Sequence, residues 1–139
     1  MDKPIISGDS IVIPSDQEFL SDIDMFVEGT LRGLGISESI VADIAISVSE
    51  LVNNAIIHGN KFARDKLVTV KLKHSGGTLA ISVTDQGTGF DPGHVPDPLA
   101  QENLLKEVGR GIFIVRQLMD NVDIIATSHG TTIAITKSI

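Results

Sequence analysis

Glu50 and Asn54 stand four residues apart in Glu50-Leu51-Val52-Asn53-Asn54, a stretch whose apolar spacing predicts a helix. Four residues advance a helix by about 400°, so the two side chains lie about 40° apart on one face, and His58 continues the row. The row borders the apolar stripe, which predicts a half-shielded rim. A carboxylate there can take a proton from a hydroxyl or a water. A neighbouring amide offers a neutral oxygen to a hard cation such as Mg²⁺, which prefers oxygen ligands and keeps some of its waters.

Two further segments follow in order. Asp85-Gln86-Gly87-Thr88-Gly89 ends an alternating apolar stretch. Its carboxylate accepts hydrogen bonds only and can take the exocyclic amine of adenine. Gly87 and Gly89 allow close approach of backbone to a ligand. Gly109-Arg110-Gly111 opens a predicted helix, where free N–H groups and the positive dipole end suit phosphate. Arg110 adds a possible charge-assisted contact to a terminal phosphate. Taken singly, each segment also fits a solvated helix face, an ordinary strand-to-loop turn or a flexible loop end. Together they specify a nucleotide pocket without a Walker motif. Pro92 follows the first glycine pair and Ile114 the second, so neither completes G-x-G-x-x-G, and there is no G-x-x-x-x-G-K-[ST].

The elements that must position these residues can be read from periodicity. Ile5, Ile6, Ile11, Val12 and Ile13 predict a strand broken by a turn at Ser7-Gly8-Asp9. Pro14-Ser15-Asp16 supplies a helix start, with Ser15 as cap and Glu18 three residues on. Phe19, Ile23, Phe26, Val27 and Leu31 recur at helical spacing, and Gly33 and Gly35 end that helix. Ser37 caps a second helix running to about His58, with Ile40, Ile44, Val48, Leu51, Val52 and Ala55 buried and Gly59-Asn60 as its C-terminal cap. Residues 67–73 and 79–84 alternate with period two and are joined through Gly76-Gly77 as a hairpin.

Residues 91–108 carry three prolines and no clear period, the composition of a lid or binding loop. A helix over 110–119 and a hairpin of 122–126 with 131–137, turning at Gly130, close the chain. The order β-α-α-β-β-lid-α-β-β predicts an α/β (α+β) two-layer sandwich. Its sheet is expected to be mixed but mostly antiparallel, with helices on one face.

With 139 residues the chain reads as one domain, 1–139. It has no Trp or Tyr and only five Phe, so Ile, Val and Leu must build the core. A net charge of −7 without a basic run argues against nucleic acid and against an anionic membrane surface. The absence of cysteine excludes disulfides, thiolate metal sites and a Cys nucleophile. Met1-Asp2-Lys3-Pro4 does not open a signal peptide, and no apolar run approaches a membrane span of about 18–20 residues. A soluble cytoplasmic protein is expected.

These segments resemble the N, G1 and G2 boxes of the ATPase superfamily shared by DNA gyrase B, the ninety-kilodalton heat-shock chaperone, histidine kinases and mismatch-repair proteins. Within it the chain is most similar to the bacterial anti-sigma-factor serine kinases. Residues 50–59 resemble their N box, Val95-Pro96-Asp97-Pro98 and Glu102-Asn103-Leu104-Leu105 their lid, and Gly109-Arg110-Gly111-Ile112-Phe113 their G2 box.

The resemblance implies a Bergerat-type sandwich that binds ATP. Glu50 would be the catalytic base and Asn54 the Mg²⁺ ligand. Asp85 would hold the adenine amine, with Gly87 and Gly89 shaping its pocket. Gly109, Arg110 and Gly111 would face the phosphates, and Thr131 would be a further adenine-side contact. The implied partners are a sigma factor and a STAS-type anti-anti-sigma protein phosphorylated on serine, and homodimers are common in the family.

Histidine kinases carry Asn where this chain has Glu50 and usually Lys where it has Ile57, and they need a helical domain for which the length leaves no room. His58 therefore reads as a structural helix-end residue. Gyrase-like ATPases carry a transducer domain, again absent. The alternative to a kinase is a nucleotide-gated protein-binding switch with little or no kinase activity.

Overall fold

A computed structural model of the chain describes residues 2–87 and 109–139. Six strands form one sheet, β1 (Ile5–Ser7), β2 (Ser10–Pro14), β3 (Leu67–Ser75), β4 (Thr78–Thr84), β5 (Asn121–Thr127) and β6 (Gly130–Ser138), in the order β1-β2-β3-β4-β6-β5. Helices α1 (Leu20–Gly33) and α2 (Glu38–Asn54), with helical backbone over 109–118 (α3), supply the second layer.

Period-two alternation decides which face each strand buries. Val68, Val70 and Leu72 are buried in β3 while Lys71 and Lys73 are exposed. Leu79, Ile81 and Val83 continue the apolar face in β4, and Ile11 and Ile13 extend it into β2. Each such side chain contributes about 1.5–3 kcal/mol of burial, far more than any single polar contact in the sheet. Gly76, at φ 59°, occupies the left-handed region that the two-residue β3–β4 hairpin requires, and Ser75 pairs with Thr78 across it.

Every strand pairing among the described residues is antiparallel, so the sheet is not mixed there. The connectivity explains this. The excursion α1–α2 returns the chain to the end of the sheet that β2 left, where Leu67 pairs with Pro14, so β3 runs against β2. The excursion α3–β5 does the same for β6 against β4.

Local starts and stops differ from the sequence reading in three places. Asp16, not Ser15, caps the first helical turn by accepting the Glu18 N–H at 3.0 Å, and that turn (Gln17–Phe19) is 3₁₀ before α1 begins. Ser15 is unavailable because its hydroxyl is buried and donates to the Lys66 carbonyl at 2.6 Å. In α2, Ile40 is only partly buried, and Val41 takes the core position ahead of Ile44, Val48, Leu51 and Val52.

Beyond Asn54 the helix widens into a π turn, Ala55–Gly59, closed by the Asn60 N–H donating to the Ala55 carbonyl at 2.8 Å. By length and composition the run Glu38–Gly59 reaches the measure of a membrane span, which the sequence reading did not credit. Val41, Ile44, Val48, Leu51, Val52, Ala55 and Ile56 join the core, as in a core helix, while Ile46 is exposed.

The C-terminal end of α3 is fixed by Lys137. Its ammonium donates to the Leu118 carbonyl at 2.5 Å and lies 3.5 Å from Asp43 on α2. A cation at a helix C-terminus opposes the negative end of the dipole. Through this lysine, β6 holds α3 in place relative to α2.

Candidate functional site

Glu50 and Asn54 are both half-buried on the last turns of α2. The start of α3 packs directly on them. A Cβ at Gly111 would lie 3.0 Å from Asn54 Nδ2 and 3.2 Å from Glu50 Oε2. Ile112, Val115 and Met119 are buried beneath and anchor α3 in this position. Asn54 Nδ2 is buried without a hydrogen-bond partner among the described residues. Buried amides in native folds are nearly always satisfied, so an orphaned one against a glycine points to a ligand that completes it. Arg110 and Gly109 are exposed at the start of α3, and a side chain at Gly109 would meet open space.

Asp85 is buried at the end of β4, and its carboxylate is gripped from two sides. Oδ1 accepts the Gly87 N–H at 3.0 Å and the Thr131 N–H at 3.1 Å. Thr131 thus engages Asp85 through its backbone, and its carbonyl in turn accepts the Asp85 N–H at 2.9 Å. Oδ2 rests against the Cα of Gly59, where a side chain would overlap it. Side chains at Gly87 and Gly130 would likewise collide with the Gly59 and Asp85 carbonyls. With Oδ1 taken by two N–H groups, Oδ2 accepts no hydrogen bond among the described residues.

The π turn links the two halves. Asn54 precedes it and Gly59 closes it, so the amide beneath Gly111 and the wall behind Asp85 belong to one continuous helical element. Five residues of helix separate them by on the order of 7 Å. Among the sequence-predicted residues, Glu50, Asn54 and Gly111 therefore cluster at one end, and Asp85, Gly87 and Thr131 at the other. Gly89 and the predicted lid, 91–108, lie outside the described residues. His58 is half-buried within the π turn.

Beside Glu50 a groove between α1 and α2 is bordered by Asp24, Glu28, Ile46 and Ser49. Burial, and then the nearby Glu28, push the Asp24 carboxyl above its ordinary range. Among the described residues no cluster of three or more carboxylates or histidines could hold a metal. A cation at Asn54 would have to draw on one amide oxygen, water and phosphate, a donor set that fits Mg²⁺.

The sequence reading missed Asn60, Ser15 and Gln86 as parts of the site. Asn60 Nδ2 donates to Ser15 Oγ and to the Leu67 carbonyl, and its Oδ1 accepts the Gln86 N–H. The available signal was an Asn directly after Gly59, which served equally well as a helix cap.

An open antiparallel sheet backed by helices thus presents an acid–amide helix row, a Gly-flanked Asp and a glycine-led helix around one helical turn. The chain matches the model of the histidine kinase-like ATPase domain over residues 13–137 and belongs to that family. Within the family it is similar to serine-protein kinases named RsbW. The Staphylococcus epidermidis protein is 31% identical over 134 residues, covering 91% of this chain and 84% of that one. The Bacillus subtilis (strain 168) protein is 28% identical over 137 residues, covering 90% and 81%.

Solved structures agree on the fold. The RsbU and RsbW domains of Rv1364c from Mycobacterium tuberculosis superpose with a TM-score of 0.66 at 19% identity, over 98% of this chain but 32% of that one. The histidine kinase domain from Erythrobacter litoralis EL346 gives 0.56 at 20% identity, over 91% and 61%. ATP use follows from the family.

Proposed function

We propose that this chain is an ATP-dependent serine-protein kinase of the anti-sigma type. It transfers the γ-phosphoryl group to a serine of a STAS-type anti-anti-sigma protein and sequesters a sigma factor in the cytoplasm. The observation that carries the reading is the packing of Gly111 on Glu50 and Asn54, which brings a potential base, an unpartnered amide and a helix N-terminus to one point.

In this reading the serine oxygen forms a bond to the γ-phosphorus as the bond to the β,γ-bridging oxygen breaks and ADP departs. Glu50 accepts the hydroxyl proton. Asn54 would hold Mg²⁺, which when bound offsets charge on the phosphate oxygens. Arg110 adds its guanidinium on the transferring group. Positioning and electrostatics account for most of such a transfer. Among the described residues nothing packs where a Gly109 side chain would lie, which supports a role in admitting phosphate. At the base end, Asp85 Oδ2 takes the adenine amine.

In a switch with little kinase activity Glu50 would hydrolyse slowly or serve only in binding; the nearness of its carboxylate to the Asn54 amide supports the kinase reading. Incubation with labelled ATP and a serine-bearing partner tests it. The expected result is transfer by the parent chain, with Glu50→Ala retaining ATP but losing transfer by about 10²-fold or more. Transfer by Glu50→Ala at the parent rate would overturn the assignment of the base.

A further inference from the structure

We infer that Asn60 is a positioning residue for base recognition: its buried amide fixes the Asp85–Gly87 turn so that Asp85 Oδ2 is left pointing at the nucleotide. The inference rests on the reading of Asp85 as the adenine acceptor given above.

Asn60 is 1% exposed, and its side-chain amide is satisfied on both atoms. Nδ2 donates to Ser15 Oγ at 2.8 Å and to the Leu67 carbonyl at 3.0 Å. Oδ1 accepts the Gln86 N–H at 2.8 Å. That N–H belongs to the peptide immediately after Asp85. Gln86 is fastened a second time, because its Oε1 accepts the Leu67 N–H at 2.7 Å.

The network ties together the end of β2, the π turn, the start of β3 and the Asp85 turn. None of these is adjacent in sequence to the turn it holds. The glycines mark how tight the result is. Gly59 lies against Asp85 Oδ2, and Gly87 lies against the Gly59 carbonyl, with no room for a Cβ at either. The Gly87 and Thr131 N–H groups set the rotation of the carboxylate. Asn60 sets where its backbone sits. A buried network of this kind is costly when half-satisfied, so a change at one member displaces the others.

Asn60→Asp keeps an acceptor for the Gln86 N–H but turns the two donated bonds into oxygen facing oxygen. The test measures binding of ATP and of its analogue lacking the 6-amino group, purine riboside triphosphate, by calorimetry with Mg²⁺. The parent chain should prefer ATP by about ten- to a hundredfold, the worth of one hydrogen bond to a charged group. In Asn60→Asp that preference should fall to within about threefold. Binding of the analogue should weaken by a smaller factor than binding of ATP.

Equal weakening of both ligands with the preference intact would show a merely structural role and overturn the inference, as would no change in either. If the parent chain itself shows no preference, the adenine role of Asp85 fails first, and that outcome is distinct. Should Asn60→Asp not fold, Ser15→Ala removes one of the two acceptors of the amide. A reduced preference is then expected, and an unchanged one overturns the inference.

Discussion

The Cα of Gly59 lies so close to the Asp85 carboxylate that a Cβ at position 59 would occupy the space of Asp85 Oδ2. Residue 59 has helical backbone and no positive φ, and the atoms nearest to a side chain there, among the described residues, all belong to Asp85. Gly59→Ala should destabilise the fold by about 1–3 kcal/mol, the usual cost of overpacking, and abolish ATP binding. Combined with Asp85→Ala, the added methyl should cost less than it does in the parent, because the double change removes the overlaps with Oδ2 and Cγ and leaves only the residue 85 Cβ, at 3.1 Å. Urea denaturation of the four proteins of this cycle checks the coupling, and additive losses would contradict it.

Gly111→Ala separates folding from function. Alanine is the better helix former by about 0.8–1.0 kcal/mol, so the variant should be as stable as its parent or slightly more so. Its methyl, 3.0 Å from Asn54 Nδ2 and 3.2 Å from Glu50 Oε2, would press on both. Phosphoryl transfer should fall by at least about tenfold, since small misplacements of reacting groups are costly. Parent-like transfer from a stable Gly111→Ala would remove Gly111 from the site.

Asp85→Asn should fold normally and fail to bind. An amide oxygen can still accept the Gly87 and Thr131 N–H groups that Oδ1 accepts now. The second position becomes an NH₂, a donor facing the donor of adenine. Calorimetry should show loss of ATP affinity by about a hundredfold or more, with little change in Tm.

Asp24 predicts a pH dependence. Its folded-state pKa lies above the ordinary 3.8, first through burial and then through Glu28. The folded chain therefore holds this proton more tightly than the unfolded chain does. Stability contributed by Asp24 falls as pH rises from 3.8 through the raised value. Asp24→Asn should thus be more stable than its parent at pH 7, by a small margin because the group is largely solvent-screened. The advantage should vanish under strongly acid conditions, where both states of the parent are protonated. Denaturant titrations across pH would expose the opposite trend if the linkage were wrong.

Much of the architecture was legible because it is written in local spacing. The β3–β4 alternation, the Gly76 turn and the α1 stripe each follow from residues a few positions apart. The Glu50–Asn54 row followed from one helical turn. What escaped depends on partners far along the chain. Ser15 looked like a helix cap until Lys66 and Asn60, 51 and 45 residues away, claimed its hydroxyl. Asn60 does cap its helical element through its backbone N–H, but the side-chain bonds to Ser15, Leu67 and Gln86 carry no local mark. The π turn had no sequence mark, since Ala55-Ile56-Ile57-His58-Gly59 fits an α-helix equally well. The mixed sheet was the conservative expectation for interleaved helices, and the paired excursions made every described pairing antiparallel.

The widened turn at Ala55–Gly59 sets the angular phase between the two ends of the pocket. Shortening it by one residue would swing position 59 by about 100° about the helix axis, away from its neighbour at 85, while the apolar content of the segment stayed nearly the same. Length, more than composition, is therefore the constrained property of this stretch. Engineered insertions and deletions should be tolerated in the exposed connection at 61–65 and rejected a few residues earlier.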